Sequence, residues 1–287
     1  MVTLSQLGYI IAVDTYRHFG KAAESCSITQ PTLSMQIKKL EEYLEIIIFD
    51  RTVQPLVPTE VGRKIIDQAK VVVKEADEII NIIKDCKNQI SGKLRIGIIP
   101  TLAPYLLPLF IGKYKKKYPD VTINVIEQTT EDIVINLNKD LIDVGILVTP
   151  LKNDKIIEKP VFYEEMLIYV NPDNQLYNQE VITPNDLSDH KIWLLSDGHC
   201  FRDQVVNLCS LMGNTGNRLP FHYEAGTLET LINFVDQEGG ITLIPELAKY
   251  TMSEKRLKNI RSFTRFKPLR EVSLVYSKHF SKHKLTN

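Results

Sequence analysis

Apolar residues recur at helical spacing through the first 58 residues and indicate three short helices followed by an extended hairpin. The second helix spans residues 21–26, and the first has an apolar stripe of Leu4, Leu7, Ile10 and Ile11. The third begins after Thr29 as N-cap, and its buried stripe is Leu33, Ile37, Leu40 and Leu44. β-Branched residues favour a hairpin over residues 46–57. This order predicts a winged helix-turn-helix over residues 1–58.

A longer helix is predicted over residues 59–85, with Thr59 as its cap. Its apolar residues are spaced alternately by four and three, as in a coiled coil: Ile65, Ala69, Val72, Ala76, Ile79 and Ile83. A helix of about 25 residues is about 38 Å long, too long to hide this stripe within a small domain. We therefore expect residues 59–90 to be a linker helix that pairs two copies of the chain. A core helix of a single domain is the alternative.

From residue 91 onward, predicted strands and helices alternate, which is typical of a mostly parallel sheet covered by helices. Strands are predicted over 94–99, 121–126 and 144–148, with helices over 106–117 and 131–138 between them. Further strands are predicted over 166–170, 191–195 and 241–245, together with a helix over 227–236. A late strand over 271–276 is expected to return to the first part of the sheet. The pattern predicts an α/β regulatory region over residues 91–287.

Composition and charge narrow the classes of protein. The chain carries 35 basic and 35 acidic residues, so DNA binding has to come from a few cations placed on one face. No apolar stretch is long enough to span a bilayer and no secretion signal is evident, so we expect a cytoplasmic protein without membrane contact. The four cysteines include no Cys-x-x-Cys pair, which argues against a zinc ribbon or a thioredoxin-type site.

Several motifs in the first 62 residues resemble the N-terminal winged helix-turn-helix of the LysR family. They are RHFGKAA at 17–23, TQPTLS at 29–34, IKKLE at 37–41, FDR at 49–51 and TEVG at 59–62. The resemblance implies a regulator of transcription that binds double-stranded promoter DNA. The residues expected at the major groove are Thr29, Gln30, Pro31, Thr32, Ser34 and Lys38, and Arg51 is expected to contact phosphate near the minor groove. Plain capping roles for Gln30 and Thr32 are the alternative.

Beyond residue 90 the resemblance narrows to the peroxide-sensing members of that family. Its motifs are IPT at 99–101, PYLLP at 104–108, DGHCFRDQ at 197–204, LETL at 228–231 and GITLIP at 240–245. They imply a periplasmic-binding-protein-like (type II) domain, with one subdomain at about 91–162 plus 269–287 and the other at about 163–268. They also imply a homotetramer that acts with RNA polymerase on antioxidant genes, without cofactor or enzymatic activity. The family usually adds a terminal helix after its last strand, whereas this sequence stops at Asn287, soon after Tyr276. We expect either a shortened chain or a subdomain that closes differently, and in both cases the oligomer contacts of that helix are not assigned.

The resemblance assigns the reaction with hydrogen peroxide to Cys200 and the resolving role to Cys209. Residues 201–212 are predicted to be helical, with Cys209 buried beside the apolar stripe. Nine residues of helix separate two Cα atoms by about 13.5 Å, whereas a disulfide needs roughly 4.4–6.8 Å. The bond therefore requires the helix to unwind. Cys200 lies at the helix start beside His199 and Arg202, which favours the thiolate that attacks peroxide.

The resemblance also supplies a pocket for the peroxide. Thr101 and Thr130 match hydroxyls that hold the peroxide, and the remaining pocket residues are His199, Arg202, Asp203 and Arg270. A strand-end threonine, an N-cap threonine and an exposed Arg202–Asp203 pair are the corresponding structural alternatives. A zinc site formed by His199, Cys200, Cys209 and His222 matches no common ligand spacing, so no metal is expected.

Two further functions remain open at this stage. One is a LysR regulator that binds a metabolite in its cleft, in which the cysteines have no redox role. The other is a thiol peroxidase, which has no use for a wing or for a helix with heptad spacing. Absence of a Cys200–Cys209 link after low peroxide would favour the metabolite-binding regulator. Multiple turnovers with a reductant, together with no sequence-specific DNA binding, would favour the thiol peroxidase.

Overall fold

The computed structural model describes residues 1–86, 90–151, 153–179, 182–187, 190–196, 198, 200–210, 225–264, 267–278, 280 and 286. Two compact units divide the chain, the first formed by Met1–Ile90 and the second by Ser91–Phe280. The first has the winged helix-turn-helix that the sequence predicts, and the second is α/β, so the predicted fold class is confirmed. No helix in the described residues is long and apolar enough to cross a membrane.

The first unit contains four helices and a short hairpin in its described residues. In chain order they are α1 (Leu4–Tyr16), α2 (Phe19–Ser25), α3 (Gln30–Leu44), β1 (Phe49–Asp50), β2 (Val57–Pro58) and α4 (Glu60–Cys86). The first three helices begin at side-chain caps, which satisfy N–H groups that a helix start leaves without partners. At α2 the cap is His18, whose Nδ1 accepts hydrogen bonds from the N–H groups of Gly20 and Lys21. The hairpin is antiparallel, as expected of a wing.

The core of the first unit confirms the stripe that the sequence predicts on the third helix. Leu33, Ile37 and Leu40 are fully buried, and Leu44 packs against them. The prediction for the first helix is wrong at Leu4, which is 52% exposed because it lies in the first turn, beyond the edge of the core. Burial of these three large aliphatic side chains stabilises α3 in the domain.

The apolar residues of helix α4 fall into two groups: the first part packs against the core of its own domain, and the second part is exposed. Ala69 is buried in the helix-turn-helix core and Ile65 packs against that core, so the predicted coiled-coil seam is wrong at these two positions. Farther along the same helix, Val72 is 39% exposed and Ile79 is 62% exposed. The side chain of Ile83 lies outside the described part of the chain. The seam available to a partner therefore begins at about Val72.

Gly62 lies where α4 passes close to the backbone that leads into the wing, and Gly62→Ala is expected to destabilise the first unit. A Cβ atom at Gly62 would lie 2.1 Å from the carbonyl oxygen of Ile48, which is a backbone atom and cannot move aside easily. We expect a loss of about 1–3 kcal/mol in the free energy of unfolding, measured by urea denaturation of the full chain.

The matched control is Gly8→Ala in α1, where an added Cβ meets no neighbouring atom within 4 Å. Because alanine favours helix over glycine, this variant is expected to gain about 0.5–1 kcal/mol. Equal urea midpoints for the two variants would contradict the close approach at Gly62.

The second unit is built on one continuous sheet with helices on its faces. Its first elements are β3 (Gly92–Ile98), α5 (Ala103–Lys117), β4 (Val121–Glu127), α6 (Thr130–Asn138), β5 (Val144–Thr149), β6 (Ile156–Val170) and β7 (Ile192–Trp193). They are followed by α7 (Cys200–Ser210), α8 (Leu228–Glu238), β8 (Ile241–Pro245), α9 (Glu254–Leu257), β9 (Ile260–Arg261) and β10 (Leu269–Ser277). The strand order is β4-β3-β5-β10-β6-β8-β7, and β9 pairs with β6. Strand β3 pairs in parallel with β4 and β5, as the alternating pattern predicts.

Strands β6 and β10 join the two halves of this sheet. The late strand returns as predicted, because β10 pairs antiparallel with β5 and also with the first part of β6. The second part of β6, from Met166 to Val170, pairs with β8. The sequence predicts only this second part, because its residues are apolar whereas the first part has many charged and exposed positions. The strand over 191–195 shortens to Ile192–Trp193.

One side chain from α5, the helix that follows β3, is buried in the core of the second half of the sheet. Tyr105, from α5, belongs to the apolar cluster that contains Tyr169, Trp193 and Phe201. The other members of that cluster come from β6, β7, β8, α7, α8 and their connections. The start of α5 and the start of α7 are thereby brought to one place, and the candidate redox site lies there.

Candidate functional site

Cys200 is the first residue of α7, a regular helix that runs to Ser210 and includes the backbone of Cys209. The helix predicted from 201 to 212 is confirmed as far as Ser210, and Met212 lies outside the described residues. Its predicted stripe is buried at Phe201, Val205 and Leu208. Nine residues of regular helix hold the two cysteine Cα atoms about 13.5 Å apart. The Cys200 thiol is free and half-buried.

The surroundings of Cys200 favour the protonated thiol rather than the predicted thiolate. Burial raises the pKa of the Cys200 thiol, and Asp203 adds to that rise. The Thr130 hydroxyl, the Arg270 guanidinium and the Phe201 N–H lower the pKa but do not outweigh burial. Arg202 is not among the groups that shift it, and His199 lies outside the described residues. The prediction of a favoured thiolate is therefore wrong for this state of the protein, because a partly desolvated thiol resists ionisation.

Thr130 has no capping role, contrary to the structural alternative. The N-cap of α6 is Thr129, whose hydroxyl accepts the N–H of Asp132 at 3.2 Å. The Thr130 Oγ1 is buried and lies close enough to the Cys200 thiol to lower its pKa by a side-chain hydrogen bond. The contact does not have regular hydrogen-bond geometry, and no other described residue contacts this atom as a partner. A buried hydroxyl without a regular partner is rare in proteins and is available to a small polar molecule.

Gln204 is a residue of this site that sequence reasoning missed. It follows Cys200 by four positions in α7, so both side chains lie on one face of the helix. Its Oε1 atom is buried and, within the described residues, has no hydrogen-bond partner. The spacing of four from Cys200 is the signal that identifies it.

Arg270 and Thr101 form the other wall of the site, where both side chains are buried. Arg270 Nη1 donates to Thr101 Oγ1 at 3.2 Å, and Nη2 donates to the Thr101 carbonyl oxygen at 3.2 Å. The guanidinium carbon lies 5.2 Å from the centre of the Phe201 ring, next to Cys200. Arg270 thus connects the turn after β3 with the start of α7.

Glu164 is the second residue that sequence reasoning missed. Its carboxylate accepts Arg270 Nε at 2.7 Å, and the two residues face each other in the register of β6 and β10. The sequence does not show that this carboxylate pairs with Arg270, because the pairing depends on the register of two strands that are far apart in the chain. Of the other predicted pocket residues, Arg202 is half-buried and Asp203 is exposed, so Asp203 acts on the thiol only through its charge.

Together these groups form a small polar cluster at the start of α7. The thiol of Cys200, the Thr130 hydroxyl and the Arg270 guanidinium meet there, with Thr101 held by Arg270. Within the described residues, no group of three or more His, Cys, Asp or Glu is placed to hold a metal ion. His199 and His222, the histidines of the zinc alternative, lie outside those residues. The arrangement suits an uncharged molecule that donates and accepts hydrogen bonds beside a sulfur nucleophile.

The predicted DNA-binding residues cluster at the start of α3. Gln30, Pro31 and Thr32 are exposed, as is Lys38 farther along the helix, and Ser34 is half-buried. Thr29 is the N-cap, as predicted, and its hydroxyl lies 2.8 Å from that of Thr32, so of the two residues in the capping alternative it is Thr32 that contacts the cap.

Arg51 is fixed at the base of the wing. Its Nη2 atom lies 2.9 Å from Glu41 Oε2, and its guanidinium lies over the Phe19 ring. Glu41 also accepts the N–H of Ile48 at 2.8 Å. The Arg51 side chain thus ties the wing to α3, and 44% of it remains exposed.

Comparison with known proteins identifies the two units. The lysR family of bacterial regulatory helix-turn-helix proteins matches residues 4–63, and the LysR substrate binding domain matches residues 87–286. A hydrogen peroxide-inducible genes activator from Haemophilus influenzae is 34% identical over 277 residues, which cover 96% of this chain and 90% of that protein. The DNA-binding transcriptional dual regulator OxyR of Escherichia coli K12 is 36% identical over 247 residues, 86% of this chain and 80% of its own.

Solved structures agree with this assignment. A cysteine variant of full-length OxyR from Pseudomonas aeruginosa is 30% identical, with a TM-score of 0.80, and covers all of this chain and 95% of its own. A cysteine variant of OxyR from Corynebacterium glutamicum with bound hydrogen peroxide is 28% identical, with a TM-score of 0.66, over 99% of this chain and 89% of its own. The chain therefore belongs to the LysR family of bacterial helix-turn-helix regulators, and within it to the group of the hydrogen peroxide-inducible genes activators.

Proposed function

We propose that this protein regulates transcription of oxidative-stress genes and senses hydrogen peroxide through Cys200. The observation that carries the proposal is the position of the Cys200 thiol at the start of α7, beside the Thr130 hydroxyl, which has no regular partner among the described residues. The LysR family consists of DNA-binding regulators rather than enzymes. The relatives are named as activators of genes that hydrogen peroxide induces, and one related structure contains bound hydrogen peroxide.

The first chemical step is oxidation of Cys200. The thiolate sulfur attacks one peroxide oxygen, the O–O bond breaks, and the departing hydroxide takes up a proton to leave as water. Cys200 becomes a sulfenic acid. Thr130 and Thr101 are assigned to hold the peroxide, and Arg270 to stabilise the developing negative charge, since its guanidinium already lowers the pKa of the thiol. His199, Arg202 and Asp203 complete the proposed pocket.

The second step joins Cys200 to Cys209. The Cys209 sulfur attacks the sulfenic sulfur, the S–O bond breaks and water leaves, so two thiols and one peroxide give a disulfide and two waters. Helix α7 has to unwind for this step, because its regular geometry keeps the two Cα atoms too far apart. Oxidation of one sulfur is thereby converted into a rearrangement of a whole helix, which is the proposed signal.

The assembly that reads this signal is also part of the proposal. Two copies pair through α4, for which the exposed Val72 and Ile79 supply an apolar surface, and two dimers form a tetramer. The tetramer acts in the cytoplasm, on promoter DNA and with RNA polymerase. We assign residues 1–58 to DNA binding, 59–90 to the linker and 91–287 to sensing, with the two subdomains bounded as the sequence indicates.

Mass spectrometry of the reduced full-length protein after treatment with equimolar hydrogen peroxide tests the sensor. A peptide pair linked through Cys200 and Cys209 is the expected product. Absence of that crosslink would overturn the redox proposal in favour of a regulator that binds a metabolite. Rapid turnover of peroxide with a thiol reductant, together with failure to bind any specific duplex, would point instead to a thiol peroxidase.

Gln30→Ala is expected to weaken specific DNA binding by one to two orders of magnitude, since a glutamine contact to a base edge is worth about 1–3 kcal/mol. The probe is a duplex selected from random sequences by the unchanged protein, and affinity is measured by fluorescence anisotropy. Gln68→Ala is the matched control, because Gln68 is an exposed glutamine within helix α4. Equal losses in the two variants would contradict the placement of Gln30 at the major groove.

A further inference from the structure

The ion pair between Arg270 and Glu164 is among the most deeply buried polar contacts of the second unit. Arg270 is 1% exposed and Glu164 is 2% exposed. Glu164 Oε2 lies 2.7 Å from both Nε and Nη2 of Arg270, and Glu164 Oε1 accepts the backbone N–H of Leu247 at 2.7 Å. Both carboxylate oxygens are thus occupied, and the carboxylate is anchored to the backbone after β8.

This geometry fixes the guanidinium relative to Cys200. Nε and Nη2 of Arg270 contact Glu164, and Nη1 and Nη2 also donate to Thr101. The guanidinium lies over the Phe201 ring. A buried arginine needs a compensating anion, because desolvation of an unpaired charge costs several kcal/mol. Glu164 supplies that anion, so the Arg270 charge is largely balanced before any charge develops on the neighbouring sulfur.

We propose that Glu164 is a positioning residue that restrains the reactivity of Cys200: it holds Arg270 by a carboxylate and so limits the positive charge that Arg270 offers to the sulfur. This inference rests on the proposed role of Cys200 and adds a regulator of its reactivity. Without Glu164, Arg270 would be a buried cation that has lost its carboxylate partner, and a thiolate at Cys200 would help to balance its charge. The restraint keeps the thiol protonated and protects it from general electrophiles.

The electrostatics of the site agree with this arrangement. Burial raises the pKa of the Cys200 thiol by more than the nearby Arg270 guanidinium lowers it. Glu164 raises the pKa of Tyr105 and Arg270 lowers it, so both charges reach the start of α5. Within the part of the chain that the structure describes, the charged and titratable groups that face this cluster are Arg270 from β10, Glu164 from β6, Asp203 from α7, Tyr105 from α5 and Glu229 from α8.

The test is the pH profile of Cys200 alkylation by iodoacetamide in the reduced full chain, followed by mass spectrometry of the Cys200 peptide. In Glu164→Gln the midpoint is expected to fall by about one pH unit, which makes alkylation near neutral pH about tenfold faster. Glu165→Gln is the matched control. It removes the same charge from the next residue, which pairs with Lys267 instead, and its midpoint is expected to stay that of the unchanged protein.

Two further variants separate electrostatics from simple structural damage. Glu164→Asp keeps the charge but shortens its reach, so a smaller fall is expected, and this variant serves if Glu164→Gln does not fold. When Arg270 is already replaced by glutamine, Glu164→Gln is expected to cause no further fall in the alkylation midpoint, because the guanidinium that Glu164 balances is absent.

An unchanged or raised midpoint in both Glu164 variants would overturn the role of Glu164. Alkylation needs neither peroxide nor DNA, so that result would leave peroxide sensing standing. Conversely, loss of the Cys200–Cys209 crosslink in the unchanged protein would overturn sensing without altering the alkylation profile.

Discussion

Cys200→Ser is expected to abolish the response to hydrogen peroxide while DNA binding is retained. A serine hydroxyl is not oxidised by peroxide, and a response that depends on the sulfur should fall by about two orders of magnitude or more. The residues proposed to bind DNA lie in the first unit, whereas Cys200 lies in the second, so operator affinity of the reduced protein is expected to be unchanged. The measurements are transcription from a peroxide-responsive promoter and operator affinity before and after peroxide.

Two cysteine variants sharpen this result. Cys26→Ser is the control, because Cys26 is a half-buried free cysteine that packs against the helix-turn-helix core, and it is expected to respond normally. Cys209→Ser should form the sulfenic acid at Cys200, trapped by dimedone, yet fail to hold the altered DNA-binding state. A normal peroxide response in Cys200→Ser would contradict the assignment of the nucleophile.

Arg270→Met is expected to cause the second large effect, a loss of about 3–5 kcal/mol in stability, since it leaves the buried Glu164 charge without its partner. The methionine also loses both hydrogen bonds to Thr101. Thermal unfolding of the reduced protein measures the loss. Lys267→Met is the control, because Lys267 pairs with Glu165 at an exposed position, and its midpoint is expected to change far less.

The combined variant Glu164→Met/Arg270→Met tests the cause of that loss. If the loss comes from an uncompensated charge, removing both partners should restore much of the stability. Equal losses in the single and the combined variant would show that packing of the Arg270 stem, rather than its charge, is responsible.

Several elements of the fold follow from local sequence alone. The stripe of α3 is predicted correctly because Leu33, Ile37 and Leu40 follow the helical period and all three contact one core. The helix over Cys200–Ser210 is predicted for the same reason. The seam of α4 is predicted only in part, because spacing does not show whether Ala69 faces a partner or its own domain.

Some features of the candidate site also follow from local sequence, and others depend on the tertiary structure. Cys200 and its helical distance from Cys209 can be derived from the sequence, since both depend on the geometry of one helix. The position of Gln204 on the same helix face as Cys200 can be derived in the same way. The state of the thiol was not, because burial by residues distant in sequence outweighs the local helix start.

The sequence by itself therefore determined the helix-turn-helix, the α/β pattern and the separation of Cys200 from Cys209. Only the tertiary structure decided that Arg270 faces Glu164, across 106 positions of sequence, and that the pair lies beside Phe201. The physical reason is that helical periodicity is local, whereas charge and burial depend on which strands pair. In this protein the register of β6 and β10 places the charge that acts on Cys200.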